Sequence, residues 1–155
     1  MEEQSVIHNT FVIERSYPVP PGHVFAALSD PAKKRRWFVD GGGNKVEYYE
    51  MEFEVGGKER ARFSHAGPMK GIPFTNEGTY QDIVPDRRVV LASTMSMGEK
   101  RISSSLTTFE LLTAESGTDL IFTHQGAFFE GSDGPEIRKG GWRILLERLA
   151  TELAN

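Results

Sequence analysis

The chain has 155 residues, 38% of them hydrophobic, and a formal net charge of −4. This size suits one domain with a sizeable core, and the acidic balance argues against nucleic acid as a partner. The absence of cysteine excludes disulfides and thiolate chemistry. No stretch approaches the roughly 20 apolar residues that span a bilayer, and the acidic N-terminus does not resemble a secretory signal. We expect a single domain over residues 1–155 of a cytoplasmic protein without a membrane span.

The first quarter of the chain predicts one strand and two short helices. Residues 11–17 alternate in the manner of a strand, and Pro21 suits the first turn of a helix over residues 21–28. Asp30 and Pro31 are typical of the N-cap and first position of a second helix. Its basic run, residues 33–36, is interpreted as a solvated face rather than an anion site, because adjacent helical residues point in different directions.

The middle of the chain predicts strands joined by turns. Alternating residues bounded by glycine and proline indicate strands at 46–55, 58–65, 75–84, 88–97, 102–112 and 118–126. The Gly/Pro loop between the second and third of these strands carries Met69, Ile72 and Phe74. Two interpretations stay open for this loop, a flap over a site and simple packing onto the sheet edge.

Residues 136–153 form the one long segment with a helical period. Its apolar side chains fall on one face: Trp142, Leu145, Leu146, Leu149 and Leu153. Charged residues, Arg138 among them, are predicted on the other side. Gly140 and Gly141 lie in the first turns, where glycine costs about 1 kcal/mol relative to alanine. The two glycines indicate that backbone without side chains is needed at this point of the helix. Two reasons stay open, close packing against a neighbouring element and an opening beside the helix.

Among the candidate polar groups, His124 carries the strongest functional signal. It shares a strand phase with Leu120 and Phe122, so it is predicted to project into a cavity between sheet and helix. There it is suited to fix a ligand carbonyl or phenol, or to act as a general acid–base; the alternative is a hydrogen-bonded core histidine. Tyr80 is the second candidate anchor, and His65 is interpreted as structural.

Three acidic residues, Glu130, Asp133 and Glu136, cluster at the start of the last helix. We interpret them as N-terminal capping and favourable charge at the helix dipole. The chain has no HExxH, no phosphate-binding glycine motif and no GxSxG elbow. The sequence therefore predicts neither a metal site nor a cofactor, and no catalytic residue beyond the candidate His124.

Large apolar side chains are numerous, and several occur where the predicted fold opens. For these side chains two alternatives stay open, packing in the core and lining of a pocket. Met95 and Met97 are predicted to form a side of the pocket that can adapt to its ligand. The predicted ligand-binding set is Trp37, Phe38, Phe53, Phe63, Phe74, Tyr80, Met95, Met97, Phe109, Phe122, His124, Phe128, Trp142 and Leu145.

Six segments in order resemble one known superfamily. They are FVIERSYPVPPGHVF (11–25), LSDPAKKRRWF (28–38), FEVGG (53–57), GTYQDIVPDRRVV (78–90), GTDLIFTHQG (117–126) and GGW…LLERL (140–149). The chain resembles the START-like helix-grip (SRPBCC) superfamily, and within it the group related to the activator of a heat-shock chaperone's ATPase. The resemblance implies an α+β helix-grip fold. In that fold a curved antiparallel sheet of about six or seven strands wraps around a long C-terminal helix, with two short helices after the first strand.

The resemblance also implies a range of functions. We expect a protein that binds a small, largely apolar molecule between the sheet and the C-terminal helix, rather than an enzyme. The alternatives are a polyketide cyclase- or hydratase-like enzyme using His124 in the same cavity, and a chaperone-partner module. A homodimer also stays open. Because the chain lacks the extra N-terminal region of the activator proper, the sequence favours ligand binding over chaperone stimulation.

Overall fold

A computed structural model describes residues 2–65 and 71–155 and shows an α+β fold. In chain order the elements are β1 (Val6–Tyr17), α1 (Pro21–Ser29), α2 (Pro31–Phe38), β2 (Lys45–Met51), β3 (Lys58–Ser64), β4 (Pro73–Val84), β5 (Arg88–Met97), β6 (Lys100–Ala114), β7 (Gly117–Phe129) and α3 (Pro135–Leu153). The strands form one curved antiparallel sheet in the order β1-β7-β6-β5-β4-β3-β2. The predicted fold class is confirmed.

The bounds of several predicted strands differ from those observed, and β1 begins at Val6, five residues before its predicted start. The strand predicted over 46–55 ends at Met51, because residues 52–57 turn the chain: Gly57 N–H donates to Glu54 O, and Gly56 N–H donates to Tyr80 O. The last strand continues three residues beyond its predicted end, to Phe129. Met69, part of the predicted flap, lies outside the described residues, whereas Phe74 belongs to β4.

The start of α2 follows from its sequence. The Asp30 carboxylate accepts hydrogen bonds from the backbone N–H groups of Ala32 and Lys33, at 2.9 and 3.3 Å. Pro31 occupies the first turn, where its missing N–H costs nothing. The predicted cap is therefore confirmed, and it fixes the direction in which α2 runs beneath the C-terminal helix.

The C-terminal helix α3 lies on the concave face of the sheet and is held there by one apolar face. Leu146, Leu149 and Leu153 are buried in the larger of two apolar clusters, together with side chains of α1, α2 and the sheet. The buried phenol of Tyr17, on β1, donates to Leu146 O at 2.9 Å. Burial raises the pKa of this phenol well above its usual range, so it remains a donor.

Removing the Tyr17 hydroxyl tests this connection between sheet and helix. We expect Tyr17→Phe to lower the free energy of unfolding by about 1 kcal/mol, because one buried hydrogen bond is lost while the ring still packs. Urea unfolding measures the change, with Tyr48→Phe on the opposite face of the sheet as control. Equal stability of Tyr17→Phe and the unaltered protein would contradict this role.

Candidate functional site

One row of directly opposed residues crosses six strands of the concave face and contains only small or polar side chains. From β3 to β1 this small-residue row runs Glu59, Gly78, Ser93, Ser105, Gly126 and Asn9. The adjoining row on one side contributes Tyr80 and Leu91 to the larger apolar cluster. The row on the other side contributes Ala61 and Met95 to the smaller one. The sheet surface is therefore lowered between two raised apolar regions.

The residues at the centre of this strip are not fully buried. Ser93 and Ser105 are only half-buried although they face the helix side, and their hydroxyl oxygens lie 3.5 Å apart. A Cβ added to Gly140 or Gly141 in α3 would meet no atom within 4 Å. Neither glycine is therefore required for close packing, since Gly141 is exposed and Gly140 lies on the side of α3 opposite the buried Leu149.

We call the space above this strip the cleft. Half-buried residues that face it from the sheet are Asn76, Ser93, Met95, Met97 and Ser105, and Phe38 and Trp142 border it from the helices. The Phe38 and Trp142 rings pack together with centroids 5.8 Å apart. The register of the strands thus brings small, adaptable and aromatic side chains into one partly open space.

The predicted ligand-binding residues divide into two groups. The half-buried group is Phe38, Phe53, Met95, Met97, Trp142 and Leu145. The buried group is Trp37, Phe63, Phe74, Tyr80, Phe109, Phe122, His124 and Phe128. Most of the buried rings pack against one another, as Phe109 and Phe122 do at 5.0 Å between centroids. Ligand contact stays a prediction for all of them.

Two shallow depressions lie on the outer face of the sheet, behind the same row of residues: Gly78 and Ser93 also line the first, and Asn9, Ser105 and Gly126 also line the second. Their volumes are about 350 and about 480 Å³, both are open to solvent, and Ser104 lines both. Ser104 and Ser105 are neighbours on β6 and so project to opposite faces. This pair of positions separates the cleft from the outer depressions experimentally.

A buried ion pair closes the β3 end of the small-residue row. Lys34 Nζ lies 2.8 Å from Glu59 Oε2, and the two side chains are 4% and 5% exposed. The hydroxyls of Tyr49 and Tyr80 donate to the same oxygen, each at 2.8 Å. The Lys34 ammonium also lies 4.9 Å from the Phe38 ring centroid, within cation–π range.

The prediction that residues 33–36 form a solvated face is wrong at Lys34. Lys34 and Trp37, three residues apart on α2, share its buried side, whereas Arg35 and Arg36 are exposed. A signal for this pair was available, because Glu59 shares the inward phase of β3 with Ala61. A carboxylate in a buried strand phase requires a buried partner.

The two tyrosines of this cluster are held as neutral donors. Burial, followed by the negative charge of Glu59, raises the pKa of both Tyr49 and Tyr80 far above the usual range. The Tyr80 O–H is committed to Glu59. A ligand can therefore engage Tyr80 only through the lone pairs of its oxygen.

His124 is buried on the opposite side of the cleft, close to β1. It is 1% exposed and stacks on Phe11 at 4.6 Å between ring centroids. Its Nδ1 is buried without a hydrogen-bond partner among the described residues. Burial, followed by the positive charge of Arg138, lowers the pKa of His124 to about 4. His65, in contrast, is exposed, and its Nδ1 lies 3.1 Å from Asn44 Oδ1.

The buried Arg138 and the half-buried Asp133 form a second charged cluster at the start of α3, and both depart from prediction. Arg138, predicted on the charged side, is buried: its guanidinium donates twice to Asp133 and once to Ser103 Oγ. Asp133 does not cap the helix, because the N-cap is Gly134, which has no side chain to accept a hydrogen bond. Burial raises the pKa of Asp133, but the Arg138 hydrogen bonds outweigh it and leave the pKa below its usual range.

Neither a metal cluster nor a membrane-spanning helix is found in the described part of the chain. No three His, Asp or Glu side chains among residues 2–65 and 71–155 are placed to hold a metal ion. No helix within these ranges is long and apolar enough to cross a membrane.

Separating the buried ion pair should be costly. We expect Lys34→Met to destabilise the protein by about 3–5 kcal/mol, because Glu59 is left charged and buried without its cation. Lys34→Met combined with Glu59→Gln should recover more than half of that loss. Arg88→Met, which breaks the exposed pair with Asp82, should cost less than about 1 kcal/mol in the same urea titration. A cost for Lys34→Met no larger than for Arg88→Met would refute the structural role of the pair.

The lowered pKa of His124 predicts a pH dependence of stability. Between about pH 6.5 and 4 the unfolded chain binds a proton on this imidazole and the folded chain does not, so stability falls as pH falls. From pH 7 to pH 5 the unaltered protein should lose about 2 kcal/mol more than His124→Gln. Urea unfolding at both pH values measures the difference, with exposed His8→Gln as control. Identical pH dependence in all three proteins would show that His124 titrates normally.

Comparisons with known proteins show that the chain is similar in sequence and structure to several bacterial proteins. A Rhizobium loti protein of known crystal structure is 48% identical with a TM-score of 0.86, and the match covers 96% of this chain and 99% of that chain. An uncharacterised Rhizobium leguminosarum protein is 37% identical with a TM-score of 0.90, covering 97% of both chains. The AHSA1-like protein from Aeromonas hydrophila shares the fold, at 17% identity and a TM-score of 0.69 over 94% of this chain and 92% of that one. No curated protein matches the sequence.

The family assignment rests on nearly the whole chain. A family model described as activator of Hsp90 ATPase homolog 1-like protein matches residues 18–154. The predicted resemblance to START-like helix-grip proteins is confirmed by this match and by the similar structures. The chain belongs to the family of activator of Hsp90 ATPase homolog 1-like proteins.

Proposed function

We propose that this protein binds a small, largely apolar molecule in the cleft between the sheet and the first turns of α3. The observation that carries the proposal is the half-buried state of Asn76 and Met95, which face the helix side and yet remain accessible. In a fully packed domain, inward-facing residues of central strands are covered by the opposing layer. Here the opposing layer leaves Asn76 and Met95 partly uncovered.

The side chains that line the cleft account for both the affinity for an apolar ligand and the tolerance of ligands of different shape. Burial of apolar ligand surface against Phe38, Trp142 and the methionines contributes about 25 cal/mol per Å². Met95 and Met97 have unbranched, polarisable side chains that adjust to ligands of different shape. Because Ser93 and Ser105 are small, they leave depth beneath the ligand without adding an unpaired charge.

The cyclase or hydratase alternative would use the same cleft, with His124 as acid–base. A catalytic imidazole works best with a pKa near the operating pH, whereas burial lowers the pKa of His124 to about 4. This observation favours binding over catalysis. A chaperone partner, a homodimer and a cytoplasmic location stay predictions from the sequence.

Two substitutions on one strand test the proposal. Ser105→Leu places a branched side chain on the floor of the cleft, whereas Ser104→Leu places the same side chain on the outer face, where both depressions lie. We expect Ser105→Leu to weaken binding of the apolar fluorophore N-phenyl-1-naphthylamine at least tenfold, and Ser104→Leu to leave it unchanged. Native mass spectrometry of each protein, against a denatured sample, should show the same order for any co-purifying molecule.

The reverse pattern would refute the proposal. Loss of fluorophore binding in Ser104→Leu alone would place the site on the outer face, and equal binding by both variants would mean that the cleft holds no ligand. Urea unfolding of both variants checks that each remains folded under the binding conditions.

A further inference from the structure

Two buried polar atoms at the β1 end of the small-residue row have no hydrogen-bond partner among the described residues. They are Asn9 Oδ1 and His124 Nδ1. Buried polar atoms are nearly always hydrogen-bonded, and leaving one unpaired costs about 1–3 kcal/mol. Their occurrence side by side therefore indicates a missing group that would satisfy both.

The sheet register places these atoms in adjoining positions. Asn9 lies opposite Gly126, and Phe11 lies opposite His124, so Asn9 and His124 are diagonal neighbours on the concave face. A Cβ on Gly126 would lie 2.8 Å from His124 Cε1, the carbon bonded to both ring nitrogens, and 2.8 Å from Phe128 Cε2. The imidazole therefore leans toward the Gly126–Asn9 pair.

The same position continues the floor of the cleft. Ser105 lies directly opposite Gly126, and both residues are half-buried. A ligand that lies above Ser105 therefore ends at the rings of His124 and Phe128, which cover Gly126, with Asn9 as the next residue of the row. At the β3 end of the row the Glu59 carboxylate is already paired, because it accepts from Lys34 and two tyrosines.

The hydrogen-bonding capacity of Asn9 Oδ1 and His124 Nδ1 determines which chemical group of a ligand can pair with both. An amide oxygen accepts only, so it needs a donor; a carbonyl, ether or carboxylate cannot supply one. An ammonium group could donate, but the positive charge of Arg138 already acts against a second cation here. A hydroxyl donates to Asn9 Oδ1 and accepts from the imidazole when the proton is on Nδ1.

We infer that the ligand carries a neutral hydroxyl, alcoholic or phenolic, held between Asn9 Oδ1 and His124 Nδ1. This inference rests on the proposed function, because it concerns the same cleft, and it names the class of ligand. The apolar body lies along Ser105 and Ser93, and the hydroxyl sits at the β1 end. The alternative occupant is a water molecule that remains when an apolar ligand binds.

Three matched compounds test the inference by equilibrium dialysis at pH 7: 4-butylphenol, its methyl ether and butylbenzene. The unaltered protein should bind the phenol at least about tenfold more tightly than either other compound, since two hydrogen bonds are lost without the hydroxyl. Asn9→Leu and His124→Phe should each remove this preference while still binding butylbenzene. Gln125→Leu, which alters an exposed polar residue on the outer face of the same strand as His124, should retain it.

The outcomes separate this inference from the proposed function. Equal binding of all three compounds by the unaltered protein would overturn the hydroxyl site, with water as the occupant, and leave the apolar cleft standing. A preference that survives both Asn9→Leu and His124→Phe would place the hydroxyl elsewhere. Failure of all three compounds to bind would overturn both proposals.

Discussion

The buried pairing of Lys34 with Glu59 is the interaction on which the geometry of the cleft depends. It joins α2 to β3, and the tyrosines of β2 and β4 complete it. Isolated charges are costly to bury, so this cluster holds only while all four groups keep their positions. Phe38 lies over the Lys34 ammonium and packs on Trp142 of α3. The charge pair thus positions the aromatic border of the cleft as well as the strands beneath it.

The two ends of the small-residue row differ in how far their polar groups are satisfied. At β3, Glu59 Oε2 accepts three hydrogen bonds or ionic contacts, which makes that end a structural anchor. At β1, Asn9 Oδ1 and His124 Nδ1 remain without partners among the described contacts. Because an unpaired buried atom gains the most from a new partner, recognition of a polar ligand group is favoured at β1.

Local patterns in the sequence predicted the elements well, but they failed for buried charges. Asp30 and the leucines of α3 could be interpreted from neighbouring residues alone, because capping and helical period are local properties. Lys34 and Arg138 could not, since each belongs to a polar helical segment and becomes buried only because a carboxylate lies beneath or beside it. Of the candidate site, His124 was predicted from its strand phase, whereas Asn9 had no distinguishing signal.

The sequence by itself determined an α+β chain with an antiparallel sheet, two early helices and one amphipathic C-terminal helix. Periodicity, proline and glycine positions carry that information within short segments. Only the tertiary structure decided which side chains meet. Glu59, Ser105 and Asn9 lie far apart in the chain, and the pairing register of six strands brings them into one row. Register depends on packing summed over the whole sheet, and a shift of one residue would turn every member of that row to the opposite face.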